Sequence, residues 1–134
     1  MAVTYLLDTH VFLWLVSTPE RVPLRAHLGL PGTRLLVSSA SAMEVATKVR
    51  LGKLPEGVPL AHESAWNEAL RNMRAEELPI STRHSLFAGG MDWEHKDPFD
   101  RLLAAQAIIE EVPPITVDQA FTNLDGLMTL WRVK

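Results

Sequence analysis

Apolar residues gather in short unbroken blocks at three places along the chain: Val3–Leu7 (VTYLL), Arg34–Ser38 (RLLVS) and Pro113–Val117 (PPITV). Blocks this short with little polar alternation are typical of strands buried on both faces, as strands of a parallel sheet are. Helix-like patterns fill much of the space between, over His10–Val16, Ala42–Leu51, Ala61–Met73 and Phe99–Glu110. Weaker strands are expected at Glu77–Ile80 (ELPI) and Leu127–Val133 (LMTLWRV). The Pro- and Gly-rich pieces STPERVP, GLPGTR, GKLPEGVP and AGGMDWEHKD read as loops, and none is long enough to separate a pair of domains. The alternation predicts one α/β domain over residues 1–134 with a mainly parallel sheet.

Composition changes this picture little. A chain of 134 residues with 47% hydrophobic content carries enough apolar material for one core. It has no cysteine, which removes disulfides, zinc–thiolate sites and thiol nucleophiles and suits a reducing cytoplasm. The apolar N-terminus, MAVTYLLDTHVFLWLV, lacks a basic leader and is interrupted by Asp8 and His10 well short of a membrane span, so a soluble cytoplasmic protein is expected.

Topology brings in candidate chemistry. Helices that connect parallel strands run antiparallel to them, so helix N-termini share an edge with strand C-termini. Asp8 follows the first strand and Asp118 the third. Glu44 falls in the expected first turn of the helix after RLLVS, and Asp100 in the first turn of the helix that leads to PPITV. Four carboxylates from four segments are thereby expected on the edge where open α/β sheets bind ligands.

Each acid also has a plainer reading. Ser41 and Glu44 form the S-x-x-E pattern of a capping box. Asp97 before Pro98 makes a good N-cap, which leaves Asp100 beside the helix dipole. Asp118 has the spacing to cap a short helix, whereas Asp8 at a strand end is harder to explain as punctuation. Independent caps, however, have no reason to face one cleft.

Crowded carboxylates repel unless protonated or neutralised by a cation. An oxygen donor set without cysteine favours Mg²⁺ or Mn²⁺, ions that pair with phosphate oxygens and support phosphodiester hydrolysis. Setting the four acids aside takes the formal net charge from −3 to +1, so overall acidity does not argue against a nucleic-acid substrate. The five histidines lack zinc-ligand spacing and read as structural or surface groups. There is no G-x-S-x-G elbow, P-loop or dinucleotide fingerprint.

The segments LLDTHVFLWL, SSASAMEVATKVRLGKL, HKDPFDRLLAAQA and ITVDQAF together resemble the PIN-domain nucleases, in particular the VapC toxins of toxin–antitoxin modules. The resemblance runs from Val3 to about Trp131. It implies a three-layer α/β/α sandwich and an Mg²⁺- or Mn²⁺-dependent endoribonuclease, with Asp8, Glu44, Asp100 and Asp118 as catalytic and metal-binding acids. Asp97 then starts the helix while Asp100 serves the site, and Thr9 and Thr116 take the positions of the family's small hydroxyl residues. Met43 stands where many relatives carry tryptophan, GGMDWEHKD replaces the usual approach to the D-P-F-D motif, and the tyrosine common before the last strand is missing.

Lys48, Lys96 and Arg101 are candidates for phosphate contact, against an i,i+4 pair with Glu44 for Lys48 and ordinary solvated charge for the other two. The four tryptophans suit packing or base stacking. Residues 11–16 of the first helix carry no polar break, more than one core-facing stripe needs. With the VapC resemblance, that surface suggests a homodimer and a cognate small antitoxin, beside the RNA substrate and with no membrane. Two rival readings stay open, a catalytically weak PIN-fold nucleic-acid-binding module and a metal-dependent phosphatase for small phosphoesters.

Overall fold

A computed structural model describes residues 3–124. Four strands, β1 (Val3–Leu7), β2 (Thr33–Ser38), β3 (Ala75–Leu78) and β4 (Pro114–Ile115), form a wholly parallel sheet in the order β3-β2-β1-β4. Their register pairs Leu7 with Val37 and Ile115, and Ser38 with Leu78, so the strands end along one edge. The two central strands are the apolar blocks of the sequence. The weak strand expected at Glu77–Ile80 starts two residues earlier, and β4 pairs over only two residues of the PPITV block. Segment LMTLWRV lies outside the described residues.

Side chains alternate across β1 and β2 and split the core in two. Tyr5, Leu7, Leu35 and Val37 face a layer built by α1 (Thr9–Ser17), α3 (Ser39–Arg50) and α4 (Glu63–Met73), where Val11, Phe12, Leu13, Val45, Trp66 and Leu70 are buried. Leu6 and Leu36 face the opposite way, against Leu103, Ala104 and Ala107 of α6 (Pro98–Glu110) and against Phe121. Ala104 and Ala107 put small side chains of α6 into that cluster. This is the expected three-layer sandwich. A one-turn helix, α2 (Arg25–Leu28), adds Leu28 to the first core.

The unbroken apolar run of α1 is covered largely from within the domain. Val11, Phe12 and Leu13 are buried, Trp14 and Leu15 pack partly on the core, and Val16 is left 41% exposed.

Helix α5 (Thr82–Gly90) falls mostly in a stretch that the hydrophobic pattern leaves unassigned, and its last turn, Ala88–Gly90, takes up the start of the AGGMDWEHKD segment that reads as a loop. Only His84 and Ala88 are buried on it, Leu86 faces outward at 73% exposure, and two glycines close it, so no apolar stripe marks it. A capping box nucleates it: the Ser81 hydroxyl accepts the His84 N–H at 3.1 Å and the Ser81 N–H donates to His84 Nδ1 at 3.0 Å. Histidine fills the third helical position where the usual box has Glu or Gln.

Phe12 is fully buried and packs on Trp66 with ring centroids 4.9 Å apart, joining α1 to α4. Phe12→Ala is expected to cost about 3–5 kcal/mol, read as a fall in melting temperature on the order of 10 °C; a variant melting like the wild type would place the joint elsewhere.

Candidate metal centre

The shared strand edge collects the acids, and helix starts fix three of the side chains around it. Asp8 follows β1 directly and caps α1, its Oδ1 accepting the His10 N–H at 3.2 Å. The strand-end acid that looked poorly suited to punctuation is therefore an N-cap as well. Its Oδ2 accepts a hydrogen bond of 2.5 Å from the Thr116 hydroxyl, whose oxygen in turn accepts the Asp118 N–H at 2.9 Å. Asp118 caps a short 3₁₀ turn through the Ala120 N–H at 2.9 Å. Thr116, 108 residues from Asp8 in sequence, thus ties the first acid to the last.

Glu44 departs from its expected setting. Helix α3 begins at Ser39, capped by Ser38, whose hydroxyl accepts the Ala40 N–H at 3.0 Å. Ser38 offers a cap at the strand end itself, so Ser41 falls inside the helix and the Ser41–Glu44 capping box does not form. Glu44 sits in the second turn, buried, with Lys48 Nζ 2.8 Å from its Oε2. The Ser41 hydroxyl meets Thr9 Oγ1 at 2.8 Å and joins α3 to α1.

Asp97 and Asp100 divide as expected. Asp97 is the N-cap of α6, its Oδ1 accepting from the Phe99 and Asp100 N–H groups at 2.9 and 3.2 Å. Asp100 is free to turn into the cluster, where its Oδ2 shares a 2.6 Å hydrogen bond with His95 Nε2. Ligand-capable atoms of His95, Asp100 and Asp118 all lie within 4.8 Å of one another.

The electrostatics match that crowding. Burial holds the Asp8 carboxyl above its ordinary value, against the Thr116 hydrogen bond, with nearby Glu44 adding to the rise. Burial also pushes Asp100 up to about 6; the His95 hydrogen bond opposes this, while the charges of Asp97, Asp8 and Glu44 add to it. Burial pulls the Lys48 ammonium down, but Glu44, Asp97 and Asp100 outweigh it and leave its pKa raised. Asp8, Glu44 and Asp100 therefore sense one another as charges within one site.

These donors suit a hard divalent cation. The acids offer carboxylate oxygens and no sulfur, with the His95 imidazole beside Asp100, and two of them hold protons more tightly than they would in water. A cation at Asp8, Glu44, Asp100 and Asp118 would relieve their repulsion.

Other expected site residues take different positions. Thr9 and Thr116 are buried and committed to protein partners, so they shape the site from behind. Lys48 lies among the acids. Lys96 is exposed and lines a shallow cleft between α5 and α6 with Ser85, Pro98 and Leu102. Arg101 turns away from any phosphate role: its guanidinium donates to the carbonyls of Ala88, Met91, Trp93 and His95 at 2.8–3.0 Å.

Sequence reasoning treated every histidine as structural or surface, which suits His27 beside the Tyr5 hydroxyl and His84 in its capping box. It missed His95, whose only signal is its place just ahead of the D-P-F-D motif. It also missed Ser38, although a serine ending an apolar block is itself a helix-start signal.

A PIN domain family model matches residues 5–127. Among solved structures, the chain resembles VapBC2 from Rickettsia felis bound to a DNA fragment from its promoter, with a TM-score of 0.68 and 19% identity over 95% of this chain and 97% of that one. It also resembles a DNA-bound VapBC from Salmonella typhimurium, at TM-score 0.68 and 21% identity over 96% and 97% of the two chains. A toxin–antitoxin complex from Klebsiella pneumoniae gives a TM-score of 0.65 and 18% identity over 96% and 99%. At these identities the likeness is one of fold. No curated protein matches the chain.

The raised carboxyl of Asp100 has a consequence in metal-free protein. The folded state binds its proton more tightly than the unfolded chain does, so this acid's contribution to stability falls as pH rises from about 4 to about 6. Asp100→Asn should remove that slope and, in EDTA at pH 7.5, raise the melting temperature by about 2–4 °C. Added Mn²⁺ should reverse the order, because it stabilises the protein that binds it. Parallel pH–melting profiles for the two proteins would count against the assignment.

Proposed function

The chain belongs to the PIN domain family, and on that premise we propose that it is a divalent-metal-dependent endoribonuclease acting as the toxin of a toxin–antitoxin pair. The observation that carries the reading is the convergence of Asp8, Glu44, Asp100 and Asp118, from four segments, on the C-terminal edge of a parallel sheet. Carboxylates drawn together so closely, some of them buried, serve a cation better than they serve packing.

Asp8, Glu44, Asp100 and Asp118 hold Mg²⁺ or Mn²⁺ in this proposal. When bound, such an ion supplies Lewis acidity toward the scissile phosphate and makes an attacking water more acidic. The protein's own contribution is to gather the acids and hold them in place. Thr116 fixes one oxygen of Asp8 and the backbone of Asp118 together, so those two acids cannot drift apart. Lys48 holds Glu44 and brings a positive charge, partly open to solvent, to the side of the cluster, where a phosphate of the RNA backbone would find it.

RNA as the substrate follows the resemblance to VapC toxins, and so does the antitoxin. A cleft of about 440 Å³ between α1 and α4, lined by Leu15, Val16, Pro59, Leu60, Ala69 and Met73, has the apolar character for an antitoxin segment. A homodimer and a cytoplasmic location belong to the same reading.

Cleavage of a mixed pool of tRNA, rRNA and mRNA is expected with Mg²⁺ or Mn²⁺ and not with EDTA, and Asp8→Asn and Asp100→Asn should abolish it in folded protein. Substantial activity in either variant at saturating metal would sink the assignment. Hydrolysis confined to small phosphoesters would favour the phosphatase instead, and metal-independent RNA binding without cleavage the binding module.

Ser38 and Glu44 separate structure from chemistry within α3. Ser38→Ala removes a cap and should cost about 1 kcal/mol with cleavage retained. Glu44→Gln should melt near the wild-type temperature and lose cleavage. The reverse pattern would return Glu44 to a structural role.

Co-expression with the adjacent small reading frame should yield a copurifying complex with suppressed nuclease activity. A protein that is harmless alone, with no neighbouring product that binds it, would end the toxin reading and leave the nuclease reading standing.

A further inference from the structure

His95 is held from three directions, although it belongs to the connection between α5 and α6, outside both helices. Its backbone carbonyl accepts from Arg101 Nη1 at 3.0 Å. Its ring packs on Trp93, with centroids 4.9 Å apart and planes at 36°, and Trp93 packs in turn on the buried Phe121. Its Nε2 meets Asp100 Oδ2 at 2.6 Å.

Arg101 makes this connection rigid. Nε donates to Ala88 O, Nη2 to Met91 O, and Nη1 to both Trp93 O and His95 O, all between 2.8 and 3.0 Å. A planar fork of fixed N–H directions can gather four carbonyls from eight residues of chain, and a lysine ammonium cannot reproduce that pattern. Since Arg101 directly follows Asp100 in α6, the strap that carries His95 is fastened one residue from the acid His95 touches.

We propose that His95 is a positioning residue for Asp100, presented by the Arg101 strap, and that its N–H holds one carboxylate oxygen so that the other is left for the metal. This rests on the proposed metal centre and assigns a residue outside its four acids. Partners of this kind orient a ligating group and fix its ionisation state.

The experiment is Mn²⁺ binding by the full chain, measured by calorimetry after EDTA treatment and dialysis, with melting curves for every variant. His95→Phe keeps a ring against Trp93 and removes the N–H; it should weaken Mn²⁺ binding about 10- to 100-fold while the protein stays folded. His95→Gln restores a donor and should recover some of the loss. Arg101→Lys should also weaken binding, and adding it to His95→Phe should weaken binding no further, because Arg101 acts through His95. The electron spin echo of bound Mn²⁺ should show no nitrogen coupling from an imidazole.

Wild-type affinity in His95→Phe would overturn the proposal, as would His95→Gln binding no better than His95→Phe, or effects of Arg101 and His95 that simply add. A nitrogen coupling lost in His95→Phe would also overturn it, by making the histidine itself a ligand. If the wild type binds Mn²⁺ no better than Asp8→Asn, the metal centre fails and this proposal with it; if only His95→Phe is indistinguishable from wild type, the metal centre stands without His95.

Discussion

Carboxylates that repel one another at the end of a sheet set the terms for the rest of this molecule. A parallel sheet whose strands end in register brings Asp8, the start of α3 and the segment after β4 to one edge. Burial there raises the proton affinity of Asp8 and Asp100; the charge of Glu44 adds to the rise at Asp8, and those of Asp97, Asp8 and Glu44 add to it at Asp100. Nothing about packing requires that concentration of charge. The two apolar cores on either side of the sheet must supply the stability that the acidic edge takes away, and the fully buried Leu6 and Leu7, one facing each core, sit immediately before the first acid.

The edge is tolerable partly because structural and chemical duties are shared. Asp8, Asp97 and Asp118 all accept N–H groups at helical starts, where the positive end of the peptide dipoles favours negative charge. Thr116 donates to Asp8 and accepts from Asp118, so one hydroxyl links two acids without adding charge. Lys48 contributes a positive charge one helical turn from Glu44. Capping and ligation are thus compatible: the cap of Asp118 uses one oxygen, and in Asp8, where each oxygen accepts one hydrogen bond, each still has a second lone pair.

The features legible in the sequence were those encoded locally. The blocks at Val3–Leu7 and Arg34–Ser38 needed only their own composition to read as buried strands, and Asp97-Pro98 announced the start of α6 to the residue. The convergence of the acids followed from parallel topology alone. What escaped depended on partners distant in sequence or on competition between near-equivalent residues. Ser38, Ser39 and Ser41 all suit a helix start, and the choice of Ser38 is decided by where β2 stops pairing. Arg101 looked like a phosphate ligand because its four carbonyl partners lie on an irregular connection with no pattern to read. The stripe of α5 is too short and too polar to register, yet without that helix the Arg101 strap would have no anchor at Ala88.

The apolar run of α1 gave the physical case for a partner, and the fold narrows that case without removing it. Most of those side chains are covered by α3, α4 and the loops beside them, and what remains open is the cleft that Leu15 and Val16 share with Met73. That cleft lies at the C-terminal end of α1, while Asp8 caps its N-terminal end. At a rise of about 1.5 Å per residue, the seven to eight residues from Asp8 to Leu15 and Val16 separate the two by about 11 Å. A segment filling the cleft therefore leaves the acids uncovered. In the proposed pairing with an antitoxin, a bound chain that continued along α1 would reach the acids, where a cationic side chain would meet favourable charge.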